Sequence, residues 1–275
     1  MVRVLWFFLL LCSFVYAQNP LKERLDEKIQ TIIPQEVFWQ NQKFIDVVFS
    51  PAKRYFTQDR VDSIKVVQTL KENGLLKLFF EKPTAIELRF KTNSSAMFFV
   101  KVMEDTLRSI GYYRFVTKNS SYNNSEFIWS VGLTSEYVID PMILQKELQK
   151  RGAYIVDIKR ETPTLWEYTI NMDSAHLDAI SLKNFSSLHL QRSLTPYWID
   201  SSDIQALTIK SGGRNRWYPH IAFYDRLLHL IAVQEEDKRT RSISFKIPKG
   251  TKYIKISDIY TMKNLKSGLD LEVSK

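Results

Sequence analysis

The sequence predicts an α+β protein in two parts, and three observations carry that expectation. A helix followed by strand-like stretches recurs three times between residues 59 and 174, each helix closing on a glycine. From about Ser174 the helical periodicity gives way to short apolar stretches with turn residues every eight to twelve positions. The 275 residues, 44% of them hydrophobic and 25% charged, exceed the ~100–150 of a typical single domain.

Residues 1–17 read as a cleavable secretory signal: Arg3, an apolar stretch from Val4 to Cys12, then Val15-Tyr16-Ala17. Cleavage is expected between Ala17 and Gln18, which implies a periplasmic or secreted protein. An uncleaved anchor is the weaker reading, because a spanning helix needs ~20 apolar residues. A lipoprotein reading through Cys12 is weaker still, since Leu11 stands where a small residue is wanted. Cys12 is the one cysteine, so the processed chain has no thiol, disulfide or cysteine-bound metal. Export without disulfides fits a bacterial envelope protein. The Asn-x-Ser triplets at Asn93, Asn119, Asn123 and Asn184 are then turn chemistry.

Residues 18–58 are expected to form one amphipathic helix through Leu21, Leu25, Ile29 and Ile32, ending near Pro34, followed by an extended segment around Phe44 to Phe49. The repeats follow over 59–174. Leu-x-x-x-Gly occurs at Leu70–Gly74, Leu107–Gly111 and Leu148–Gly152, each glycine placed to take the left-handed conformation that closes a helix. Asp140 is an N-cap, Pro141 fits the first helical position, and Ile139 can staple onto Leu144. Two strands are expected after each glycine: 75–80 with 85–90, 112–117 with 126–133, and 153–161 with 165–172. Alternation of Phe127, Trp129, Val131 and Leu133, and of Trp166, Tyr168, Ile170 and Met172, signals a sheet buried on one face with helices packed there.

From Ile86 through Ile158 the order is strand, helix, strand, strand, helix, strand. With Ser130-Val131-Gly132-Leu133 leading into the helix that ends at Gly152, this segment resembles half of a SPOR domain, a ferredoxin-like layout. The resemblance implies a sheet-face contact with the bare glycan strands of the bacterial wall.

Residues 175–275 are expected to form an antiparallel β-sandwich, jelly-roll-like, with strands at 188–190, 204–211, 220–225, 227–234, 242–247, 253–260 and 269–273. Ser211-Gly212-Gly213, Pro248-Lys249-Gly250 and Ser267-Gly268 mark turns. The run from Thr195-Pro196-Tyr197-Trp198 to Asn215-Arg216-Trp217-Tyr218-Pro219-His220, about 190–275 as a whole, resembles the galactose-binding-like sandwich group. Many secreted members bind sugars or lipid headgroups through loops at one end, and the resemblance implies that fold.

Net charge is +9, and thirteen Lys or Arg face five Asp or Glu between Lys210 and Lys266. Outside the cytoplasm the polyanions on offer are lipid headgroups, phosphorylated glycans and acidic wall polymer, so nucleic acid is not an expected partner. Arg214, Arg216, Trp217, Tyr218 and His220 crowd a glycine-led loop, and an aromatic plane beside a guanidinium suits a sugar ring carrying carboxylate or phosphate. The bland alternative packs Trp217 and Tyr218 and pairs the arginines with Asp225 or Glu235-Glu236-Asp237.

The four histidines, His176, His189, His220 and His229, have no metal-binding spacing. There is no Gly-x-Ser-x-Gly elbow, Ser-x-x-Lys pair or phosphate-cradling loop. Asp200 and Asp203 could hold a structural calcium but read more simply as a turn; no cofactor or metal is expected. The leading expectation is a non-catalytic envelope protein whose basic sandwich binds a glycan or another anionic component, a cell wall or membrane surface. The second is an assembly component binding a protein partner through the repeat layer, by strand addition at a sheet edge. The third, a glycan-cleaving enzyme, needs two carboxylates converging at ~5–9 Å.

Overall fold

The computed structural model describes residues 20–123, 125–183 and 185–274. The segment read as a signal, with Ala17 and Gln18, lies outside the described residues, as does Asn184.

Helix α1 (Pro20–Gln30) buries Leu25 and Ile29, with Ile32 just beyond it. Its Lys28 ammonium bonds to Asp157, and the Ser63 hydroxyl donates to the same carboxylate oxygen at 2.8 Å. One acid thereby ties α1 and the next long helix to the sheet. The extended segment expected at 44–49 is helical instead: α2 (Gln35–Gln40) and α3 (Gln42–Val48) pack through Phe38, Ile45 and Phe49. Ile45 and Phe49 are one helical turn apart, and Phe49 N donates to Ile45 O at 3.0 Å, so the period is helical despite the short apolar run. A small hairpin, β1 (Phe56–Thr57) and β2 (Arg60–Val61), leads into the repeats.

The repeat layer comprises α4 (Ser63–Glu72), β3 (Phe79–Thr92), α5 (Ala96–Ser109), β4 (Val116–Asn123), β5 (Glu126–Tyr137), α6 (Pro141–Gln149), β6 (Tyr154–Thr162) and β7 (Leu165–Asn171). The three closing glycines have φ of +72°, +101° and +70°, the left-handed values that glycine alone takes without cost. At Gly152 a Cβ would also sit 2.2 Å from Ser174 O. Asp140 caps α6, accepting from Met142 N at 3.0 Å. The first unit departs from the expectation. Its two strands are one, and Glu81-Lys82-Pro83-Thr84 has none of the Gly, Asn or Asp that two-residue hairpin turns need. Pro83, having no N–H for the ladder, falls in the register shift between Phe79 and Thr84.

The five strands lie in the order β4-β5-β3-β7-β6. All pairs are antiparallel except β3 with β7, so β7 separates β3 from β6. Ile86, Leu88 and Phe90 of β3 are buried in one cluster with the apolar faces of α4, α5 and α6. The alternate residues Arg89 and Lys91 stay partly exposed and reach Glu167 at 3.4 and 2.7 Å. One face of the sheet is therefore core and the other a charged ladder.

The C-terminal module contains β8 (Ile180–Ser181), β9 (Ser187–Leu190), β10 (Tyr197–Asp200), β11 (Ala206–Ser211), β12 (Pro219–Tyr224), β13 (Leu230–Glu235), β14 (Ser242–Lys246), β15 (Tyr253–Asp258) and β16 (Leu269–Ser274). They form a five-stranded sheet, β13-β12-β15-β10-β8, and a four-stranded sheet, β14-β11-β16-β9. Residues of both share one buried cluster that includes Leu207, Ile209, Ile221, Ile254, Ile256 and Leu271. The chain is thus α+β with mostly antiparallel sheets.

The two parts are joined by more than a linker. Leu228 and Tyr253 are buried in the core of the repeat layer. Ser95 Oγ donates to Leu227 O at 3.1 Å, and Leu177 N donates to the Tyr253 hydroxyl at 3.1 Å. The turn after β12 and the start of β15 are therefore the attached end of the C-terminal module.

Candidate functional site

At the other end of β12, six residues away or about 20 Å along an extended strand, four connections converge. They are residues 191–196, 212–218, 236–241 and 259–268. Arg216 N donates to Asn264 O at 3.0 Å, Thr240 N to Trp217 O at 2.9 Å, and Ile259 N to Tyr218 O at 2.9 Å. At Gly268, φ +72°, an added Cβ would strike Leu190 O at 1.9 Å, which brings the first connection against the last.

Two buried polar side chains hold these loops in place. Asn215 Oδ1 accepts Ser267 N at 2.8 Å while its Nδ2 donates to Gly268 O at 2.6 Å. The Asp258 carboxylate accepts from Tyr218 N, Tyr260 N and Thr261 N, each at 2.9 Å, and from Asn264 Nδ2 at 3.0 Å. Backbone donors that a loop would normally leave to water are satisfied internally, which fixes the loop geometry before any ligand arrives.

The four connections carry Arg192, Arg214, Arg216, Lys238, Arg239, Arg241, Lys263 and Lys266, all exposed, against the two carboxylates Glu236 and Asp237. Neither acid neutralises the group. Glu236 is 3.9 Å from Lys238, and Asp237 accepts the Tyr260 hydroxyl at 2.5 Å. That bond holds the Tyr260 phenol above its ordinary titration range. Arg239 donates to Gly213 O at 3.0 Å. Arg239 and the other six cations, seven in all, have no carboxylate partner among the described residues. Seven such positive charges on preformed loops create a local potential suited to phosphate or carboxylate.

The five residues singled out from the sequence are split. Arg214 and Arg216 are exposed in this cluster, and neither is paired with Asp225, which belongs to His229 at 2.8 Å on the attached end. Trp217 is 0% exposed, a core residue whose indole N–H donates to Ser257 O at 2.9 Å, so it offers no ring to a ligand. Tyr218 is half-buried, edge-on to Tyr260 at 5.0 Å. His220 lies within β12 next to the loop end, where both ring nitrogens are engaged, Nε2 3.1 Å from Glu235 and Nδ1 3.2 Å from Ser257 Oγ.

The aromatic that does face outward among the cations is Tyr260, 63% exposed. It was missed from the sequence, as were Arg239, Lys263 and Lys266. The available signal was connectivity: in an antiparallel module alternate connections fall at the same end, so the loops after β11, β13 and β15 had to meet. Asp200 is taken up by Lys252 at 2.8 Å and by Ser202, and no cluster of three metal-ligating side chains occurs among the described residues. Compared with known proteins, the chain matches no family model, no curated protein and no solved structure.

Proposed function

We propose that this is an exported, non-catalytic envelope protein whose C-terminal module, a β-sandwich, binds an acidic glycan of the cell wall. Contact is made through the loops at the end remote from the repeat layer. One observation carries the reading: seven cations without carboxylate partners among the described residues share a set of internally hydrogen-bonded loops. Tyr260 favours a glycan over a flat headgroup surface, since an exposed ring beside guanidinium groups matches a sugar face that carries acid groups. The repeat layer is the scaffold that positions this end.

The test is co-sedimentation of the full chain with purified wall sacculi and, in parallel, with anionic lipid vesicles, across a salt series. The reading requires pelleting with sacculi that weakens as salt rises and drops at least about tenfold in an Arg214→Gln, Arg216→Gln, Lys263→Gln, Lys266→Gln variant. Unchanged pelleting of that variant would refute it. Binding to vesicles and not to sacculi would replace the glycan with a membrane.

A further inference from the structure

A second surface lies in the repeat layer, on the other module from the charged loops. The ends of α4 and α5 and the start of α6 diverge over the first residues of β3 and the last of β5, leaving a groove of about 600 Å³. Its walls are Leu76, Leu78, Ile110, Val138, Ile139 and Ile143. At its mouth Phe79, Tyr137 and Ile143 are 55, 60 and 52% exposed, and Phe79 and Tyr137 are cross-strand partners. Three large apolar side chains side by side at a cavity mouth are a costly arrangement on a surface with nothing to bind.

The polar groups around the groove narrow the occupant. Three of the backbone donors along it are already spent: Val138 N on Leu78 O at 2.9 Å, Leu76 N on Leu70 O at 3.1 Å, and Tyr112 N on Leu107 O at 2.9 Å. A peptide laid there would bury amide groups without partners, at a cost of ~1–3 kcal/mol each, whereas an acyl chain has none to satisfy. The one carboxylate on the wall, Asp140, is bonded to Lys71. Lys77 stands over the Phe79 ring at 6.0 Å. Arg114 lines an adjoining cavity that shares Tyr112 with the groove. Neither cation has a carboxylate partner among the described residues. An apolar slot with the unpaired Lys77 at its rim, and Arg114 on the adjoining cavity, is complementary to a single-chain amphiphile with a negative head.

We propose that this groove binds one long-chain carboxylate, its acyl chain lying between α5 and α6 and its head group against Lys77 and Arg114. Dodecanoate below its micelle concentration, titrated calorimetrically into the full chain, is the probe, with dodecanol as the uncharged control. One saturable site is expected. Ile143→Asp, at an exposed position and with its fold checked by circular dichroism, should weaken dodecanoate at least about tenfold. Lys77→Ser with Arg114→Ser should weaken dodecanoate about fivefold and leave dodecanol unchanged.

The proposal is overturned by absence of dodecanoate binding, or by equal affinity in Ile143→Asp. It is also overturned if both probes respond alike to the cation variant. A wild-type dimer in sedimentation velocity that Ile143→Asp converts to monomer would assign the groove to a second copy of this chain instead.

Discussion

The side-chain oxygen of Asn215 accepts the backbone N–H of Ser267 at 2.8 Å, and through that bond the β11–β12 and β15–β16 connections behave as one body. Removing it should loosen the loops without emptying the core. Asn215→Ala strands buried groups that each cost about 1–3 kcal/mol when left unpaired. It should lower stability by that order, and lower affinity for the anionic ligand through lost preorganisation. Denaturant titration and sacculus binding on the same variant check both; a destabilised protein that binds normally would show that the loops need no prior ordering.

Trp217 should act on folding. It is wholly buried and its N–H is bonded, so Trp217→Ala is expected to cost ~3–5 kcal/mol. Trp217→Phe keeps most of the volume and should cost less while leaving binding intact in whatever fraction is folded. Loss of binding in a fully folded Trp217→Phe protein would return this residue to the binding surface.

Tyr168 makes the opposite prediction. Its hydroxyl is buried and has no hydrogen-bond partner in the described structure, and burial pushes the phenol far above its ordinary range. Because the phenylalanine ring can keep the stacking on Phe90 at 5.5 Å, Tyr168→Phe should be neutral or stabilising by about 1 kcal/mol. A loss of 1 kcal/mol or more in urea unfolding would reveal a partner for that hydroxyl.

Acid lability has an identifiable source in Asp200. Burial alone would raise its carboxyl, but hydrogen bonds from Lys252 and Ser202 outweigh burial and hold it below the ordinary range. A carboxyl depressed in the folded state contributes stability that is full above about pH 4 and is lost as pH falls through the folded-state value. The stability gap between wild type and Asp200→Asn should therefore be wide at pH 6 and close below pH 4. A gap independent of pH would assign the effect to packing.

Much of the repeat layer was legible because its signals are local. A glycine that must take positive φ at a helix end, or an Asp-Pro pair at a helix start, needs no knowledge of distant contacts. The two strands that proved to be one were not legible in the same way, since alternation on both sides of Pro83 reads identically for a hairpin and for a strand with a kink. Segment 44–49 misled because apolar residues at 44, 45, 47, 48 and 49 fit both periods, and only burial of Ile45 and Phe49 in the same core as Leu25 and Ile29 decides between them.

Trp217 follows the packing alternative that the sequence offered beside the ligand role. From Arg214 to Ile221 exposure alternates strictly, with Asn215, Trp217, Pro219 and Ile221 inward. The period-two pattern of β12 starts five residues before its first ladder pair, and read as a pattern it would have sent Trp217 into the core.

The account stands on charge being placed at one end of the C-terminal module. The most direct measurement compares two variants that lose the same number of cations. One is the Arg214, Arg216, Lys263, Lys266 variant with glutamine at each position. The other carries glutamine at the exposed Lys43, Lys53, Arg54 and Lys159 of the N-terminal part. With purified acidic wall glycan at fixed salt, the first should lose at least about tenfold in affinity and the second less than about twofold. Equal losses would mean that net charge alone drives association, and the loop site would be contradicted.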